Sequence, residues 1–143
     1  MNRLLSLKTA ENANASFYDA FESLSIEEME NVWSHDENVI CIHPGWEALL
    51  GWIAIRESWF QIFQNTNKIS IQENTLRSKK YGNLAIIVCL EHIDIIINSE
   101  NHKSGVLATN VYENHRSKWL LTHHHGSAIS NYLIPNSEIF NSE

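Results

Sequence analysis

Leu84-Ala85-Ile86-Ile87-Val88-Cys89-Leu90-Glu91-His92-Ile93-Asp94-Ile95-Ile96-Ile97 is a run of β-branched and apolar residues with no glycine or proline in it. Helical spacing is absent, and β-branched side chains pack best on a pleated surface, so the run predicts one long strand. Through Leu90 it is apolar on both faces, which predicts that both faces are covered there. One face carries Ala85, Ile87, Cys89, Glu91 and Ile93. The other carries Ile86, Val88, Leu90, His92 and Asp94, because side chains alternate along a strand.

On either side of this run the chain stays β-like. Ile69–Lys79 reads as a strand and Tyr81-Gly82-Asn83 as a turn. Ser99–Lys103 reads as a polar loop, Gly105–His115 as a strand, Arg116-Ser117 as a turn and Lys118–Ser130 as the last strand. Before Lys68 the period is helical. Ala13, Phe17, Ala20, Phe21 and Leu24 share one face of a helix over Thr9–Leu24, with Thr9 able to cap it. Ser25-Ile26-Glu27-Glu28 is a capping box opening a helix over Ile26–Ser34. Asn38–His43 is a short strand ended by His43-Pro44-Gly45-Trp46, and Trp52–Asn65 is a third helix. Helices first and antiparallel strands after make an α+β domain with the helices on one sheet face.

The 143 residues fit one domain, and a chain of that size buries about 68–70% of its unfolded surface. Hydrophobic residues make up 43% and charged residues 19%, which are globular proportions. A net charge of −7 offers no footprint for a phosphate backbone, so no nucleic-acid partner is expected. No apolar run is long enough for a membrane helix, and the N-terminus does not read as a signal peptide. Cys41 and Cys89 sit in apolar strand segments with no metal-ligand spacing. They are expected to be buried thiols in a reducing, cytoplasmic setting. The expected boundaries are an extension over 1–8, a domain over 9–130 and a tail over 131–143.

Five segments together resemble a known family. They are Phe17-Tyr18-Asp19-Ala20-Phe21, Val39–Trp46, Gly51 with Ile55–Trp59, Ala108–Tyr112 and Trp119–Ser127. In order and spacing they are similar to a SnoaL-like member of the nuclear transport factor 2-like superfamily. The closing Trp-x-x-x-His-x-His-x-Ser also resembles the association domain of calcium/calmodulin-dependent kinase II. The resemblance implies a cone: a strongly curved antiparallel sheet, the cystatin-like roll, wrapped around three N-terminal helices and open at one end into a pocket. It implies a homodimer packed through the sheets. It implies no single activity, since relatives include isomerases, cyclases, dehydratases, binding modules and oligomerisation domains.

Candidate residues follow from chemistry and parity. Trp119, Leu121, His123, His125 and Ser127 share one face of the last strand, and the resemblance points that face into the cone. His123 and His125 are then expected as a general base and its orienting partner, or as a structural network. A His-x-His pair can also hold a metal with His43 or Glu91 as third ligand, but the family resemblance does not bring a metal, so no metal and no cofactor are expected. Glu91, at the end of an apolar wall, is a candidate acid or base; its plain alternative is a solvated carboxylate or one paired with Arg56. Asn110 and Tyr112 can orient a ligand oxygen. Tyr18, His43, Trp46, Trp59 and Ser127 complete the expected ligand-binding set. The leading expectation is a pocket for a small apolar molecule with proton-transfer activity of the isomerase, cyclase or dehydratase type. The alternative is a non-enzymatic dimerisation or scaffold domain.

Overall fold

The computed structural model describes residues 7–132. Most of the expected extension over 1–8 and tail over 131–143 lies outside them. The elements in chain order are helix α1 (Ala10–Ser23), helix α2 (Ile26–Val32), strands β1 (Ile40–Ile42) and β2 (Leu49–Leu50), helix α3 (Trp52–Gln64), then β3 (Lys68–Tyr81), β4 (Leu84–Ile97), β5 (Glu100–His115) and β6 (Lys118–Ala128). The class is α+β. The six strands form one open sheet in the order β2-β1-β6-β5-β4-β3. Every neighbouring pair is antiparallel except β1 with β6, which runs parallel.

The caps act where the sequence places them. Thr9 accepts a hydrogen bond from the Asn12 N–H, and Ser25 accepts one from the Glu28 N–H. The expected polar loop at Ser99–Lys103 is instead strand, with Ile97 paired to Glu100. Asn98 and Ser99 both have positive φ, as do Arg116 and Ser117 in the next hairpin. Two consecutive positive-φ residues make the turn whose twist matches paired strands, so a two-residue loop suffices. The strand Leu49–Leu50 adds to the expected elements, since two residues carry no period.

Two register shifts bend the sheet. One falls between Thr75 and Arg77 on β3, the other on β6, where Val111 pairs His123 but Tyr112 pairs Leu121. The extra residue in each case, Leu76 or Thr122, is a bulge, and bulges increase local twist. The helices cover the inner face. Ala13, Phe17 and Ala20 of α1 and Ile55 and Trp59 of α3 are fully enclosed with Trp33, Ile87, Tyr112 and Leu121.

Candidate functional site

Helix α1 presents two stripes to the sheet. Beside Ala13 and Phe17 runs a second one, Ala10, Asn14 and Tyr18, spaced four apart and buried. It meets β4 and β5 where Cys89, Glu91, Asn110 and Tyr112 point inward. Tyr18 Oη donates to Glu91 Oε2 at 2.5 Å. Asn110 Nδ2 donates to Tyr18 Oη at 3.1 Å and to Asn14 Oδ1 at 3.0 Å. Tyr112 Oη donates to Asn14 Oδ1 at 2.7 Å, and Asn14 Nδ2 lies 3.5 Å from Cys89 Sγ. His124 Nδ1 lies 2.5 Å from Asn110 Oδ1. Because Asn110 uses its amide nitrogen on Tyr18 and Asn14, its oxygen accepts, so His124 carries its proton on Nδ1. The donors from His124 through Asn110 and Tyr18 all run toward Glu91.

Burial pushes the Glu91 carboxyl up to about 7, against the Tyr18 hydrogen bond that favours its charged form; Glu73 adds to the rise. Glu73 stands directly opposite Glu91 on β3 and accepts from Thr75 Oγ1 at 2.5 Å. Tyr18 and Tyr112 are raised far above their ordinary range, by burial first and by the neighbouring acids after it, so both stay phenols. Burial raises the Cys89 thiol to about 12, with a hydrogen bond to Glu73 adding to it. Burial lowers His124 to about 3, with His43, His123 and His125 contributing, so its imidazole is neutral.

A second wall lies beside this network. His43 Nε2 donates to Ser58 Oγ at 2.9 Å, whose own hydrogen goes to the Ile55 carbonyl at 2.7 Å. Burial lowers His43 to about 4. Its ring meets Trp46 and Trp59 edge-on at 4.8 and 4.7 Å. Trp59 also contacts Phe17, Phe21 and Phe63, and its indole N–H has no partner. Trp46 is 46% exposed and forms the outer end of this wall.

The last strand corrects the parity expectation. His124, not His123 and His125, faces the interior. The bulge at Thr122 puts two residues, Thr122 and His123, between the inward Leu121 and the inward His124, where regular alternation would put one. His125 and Ser127 are exposed and His123 is half-buried, all on the outer sheet face. Burial and the His125 imidazole lower His123. The pair therefore cannot converge with His43 or Glu91, and among the described residues no three His, Cys, Asp or Glu side chains are grouped to hold a metal ion. Arg56 pairs with Glu30 at 3.3 Å and not with Glu91. Sequence reasoning missed Asn14, Glu73 and His124. Asn14 had a signal, its four-residue spacing from Tyr18. Glu73 could be found only from register.

The comparisons agree with this architecture. The SnoaL-like domain family matches residues 10–131, and the chain belongs to it. Within the nuclear transport factor 2-like superfamily, two solved structures are particularly similar. One, from Thiobacillus denitrificans, is described as a calcium/calmodulin-dependent protein kinase type II association domain. It is 30% identical with a TM-score of 0.78, covering 85% of this chain and 96% of that one. The other, from Streptomyces avermitilis, is described as a dehydratase of the NTF2-like family. It is 27% identical with a TM-score of 0.78, covering 87% and 96%. The F-box protein SKIP8 of Arabidopsis thaliana is 24% identical over 118 residues, 82% of this chain. The chain spans about half the length of that curated relative, 48%.

Proposed function

We propose that this chain binds a small apolar molecule in its interior and moves a proton on it, with Glu91 as the proton carrier. The observation behind the reading is the buried Glu91 carboxyl, held near 7 with the Tyr18 phenol on its Oε2. A group titrating close to neutrality is present as both acid and base, which proton transfer of the isomerase, cyclase or dehydratase type requires. Tyr18 steadies the carboxylate when it forms. Asn110 holds Tyr18 in place and is itself fixed through Asn14, which also accepts from Tyr112, and His124 closes the chain as a neutral donor. Trp46, the exposed end of the aromatic cluster it forms with His43 and Trp59, supplies the surface that a flat, apolar substrate meets first. The Streptomyces avermitilis relative described as a dehydratase is compatible with such chemistry. Cys41 and Cys89, free and buried, fit a reducing compartment, and we place the chain in the cytoplasm on that ground.

The test uses 2-naphthol, a flat apolar ring with one acidic hydroxyl. Titration into the purified chain should quench tryptophan emission. Affinity should change with a midpoint near pH 7, and Glu91→Gln should abolish that pH dependence. Absence of binding, or a pH dependence untouched by Glu91→Gln, would sink the reading.

A scaffold role is the second reading. It is favoured by the interior network, whose polar groups are bonded to one another, and by the outer sheet face. There Ile86, Val88, Leu90, Leu107, Val111 and Leu120 stand together, Leu107 being 44% exposed. An apolar sheet face of this kind suits a second copy of the chain, so a homodimer through the sheet is proposed under either reading.

A further inference from the structure

At the β2 edge of the sheet the chain enters α3 through Gly51, and a cavity of about 410 Å³ opens between residues 35–37 and 50–53. Its floor is Trp52. The His35 ring stacks on that indole at 4.5 Å with 7° between planes, and His35 Nε2 donates to the Glu30 carbonyl at 2.7 Å. The walls are tied together by backbone bonds from Gly51 N to Val39 O at 2.9 Å and from Trp52 N to Asp36 O at 3.1 Å. Gly51, at φ +89°, allows that approach. On the rim, Leu50 is 67% exposed and Ile53 88% exposed. Ile53 lies off the stripe that α3 buries through Ile55 and Trp59. The other rim residues include the carboxylates of Asp36 and Glu37, and no lysine or arginine is among the described residues lining the cavity.

We propose that this edge cavity docks a basic amphipathic peptide segment of a partner protein. The partner's apolar residues would seat between Leu50 and Ile53 over Trp52, and its lysines or arginines would face Asp36 and Glu37. Three features select this occupant. An isoleucine held almost wholly in water at the mouth of a preformed cavity gains most from being covered, so the apolar anchors carry affinity. Two acidic rim groups in a chain of net charge −7 select positive flanks and repel acidic ones. Helix α3 starts without a side-chain cap, and with the Trp52 N–H taken by the Asp36 carbonyl its Ile53 and Ala54 N–H groups can take a carbonyl from a peptide, which a plain hydrocarbon cannot offer. None of these residues belongs to the Glu91 network, so the inference stands apart from the proposed activity.

The probe is a fluorescein-labelled helical peptide of about 14 residues with leucines on one face and lysines on the other, compared with a version carrying glutamate for lysine. By fluorescence anisotropy, the basic peptide should bind and the acidic one should bind at least ~10-fold more weakly. Ile53→Asp should weaken the basic peptide at least ~10-fold although it adds a negative charge, and Glu37→Lys about 3-fold or more. Amide NMR signals of residues 35–37 and 50–53 should move on binding. Both substitutions are at exposed positions, and unchanged thermal melting checks the fold. Equal or tighter binding to Ile53→Asp would reveal charge attraction alone and overturn the proposal. So would no binding, or a dimer in sedimentation that Ile53→Asp converts to monomer, which would assign the face to a second copy.

Discussion

The phenol of Tyr18 and the carboxyl of Glu91 meet at 2.5 Å, and both groups are buried. One comes from the first helix and the other from the middle of the longest apolar strand, so the contact ties helix to sheet. The two acids divide their roles by environment. Tyr18, raised far above its ordinary range, is always the donor. Glu91, raised to about 7, is the partner whose charge changes near neutrality.

This makes stability depend on pH with a definite sign. Between its ordinary value of 4.5 and about 7, Glu91 holds a proton when folded and has lost it when unfolded. Its contribution therefore falls as pH rises through that window and is level above it. A tenfold change in proton affinity is worth about 1.4 kcal/mol, so the loss is on the order of 3 kcal/mol. Glu91→Gln cannot ionise and keeps an oxygen for Tyr18. Urea unfolding from pH 4.5 to 8 should show the variant gaining on the parent chain as pH rises. Parallel curves would contradict the buried, protonated carboxyl.

His124 and His43 pull the other way. Their folded values, about 3 and about 4, lie below the ordinary 6.5, so the unfolded chain binds the extra protons. Stability from both is complete above pH 6.5 and is lost as pH falls toward 4. Acid unfolding should begin below pH 6.5. His124→Asn should lose stability at pH 7 by about 1–3 kcal/mol, since Asn110 Oδ1 loses its imidazole donor, yet flatten the acid limb. An acid limb equal to that of the parent chain would count against a buried neutral His124.

Gly105 is a seat for Tyr132. A Cβ there would lie 2.1 Å from Tyr132 Cδ1, and the phenol of that ring sits 2.7 Å from His92 Nδ1. Gly105→Ala should expel the ring at a cost of about 1 kcal/mol, the net worth of one hydrogen bond. Tyr132→Ala should cost the same, and the double variant no more than either alone, because both remove one contact. Additive losses in thermal melts would disprove the coupling.

Val88→Arg places a charge in the centre of the outer apolar face without touching the inner one. Sedimentation at micromolar concentration should find the parent chain as a dimer of about twice 16.5 kDa and the variant as a monomer. A parent chain at 16.5 kDa would remove the sheet-face dimer.

Much of the architecture was legible because it rests on period and punctuation. The helical stripe from Ala13 to Leu24, the capping residues Thr9 and Ser25, and the uninterrupted Leu84–Ile97 strand each follow from local chemistry. Inward placement of Glu91 follows from parity with Ala85 and Cys89, because no irregularity on β4 separates them. The same parity failed on β6. Trp119 and Leu121 set the phase correctly, but the bulge at Thr122 reverses it before the histidines. One residue type did carry the later phase: a Cβ on Gly126 would come within 3.1 Å of Val106 and 3.2 Å of Pro44, a close approach that belongs to an inward position. Glu73 joins the site through pairing with Glu91, and such long-range register leaves no trace in local composition.

The parallel pairing of β1 with β6 has a consequence for the order of assembly. Strands β3 through β6 are joined by two-residue turns, so their contacts close short loops and can form early. Ile40 reaches His123 only after nearly the whole intervening chain has been laid down, and Cys41 and Asn110 flank His124 from opposite sides. Closing that long loop carries the largest entropic cost in the sheet, and the closure completes the strand environment of His124. Nascent chains and refolding intermediates would thus carry a formed meander before a formed interior, and the candidate site would be among the last features to mature.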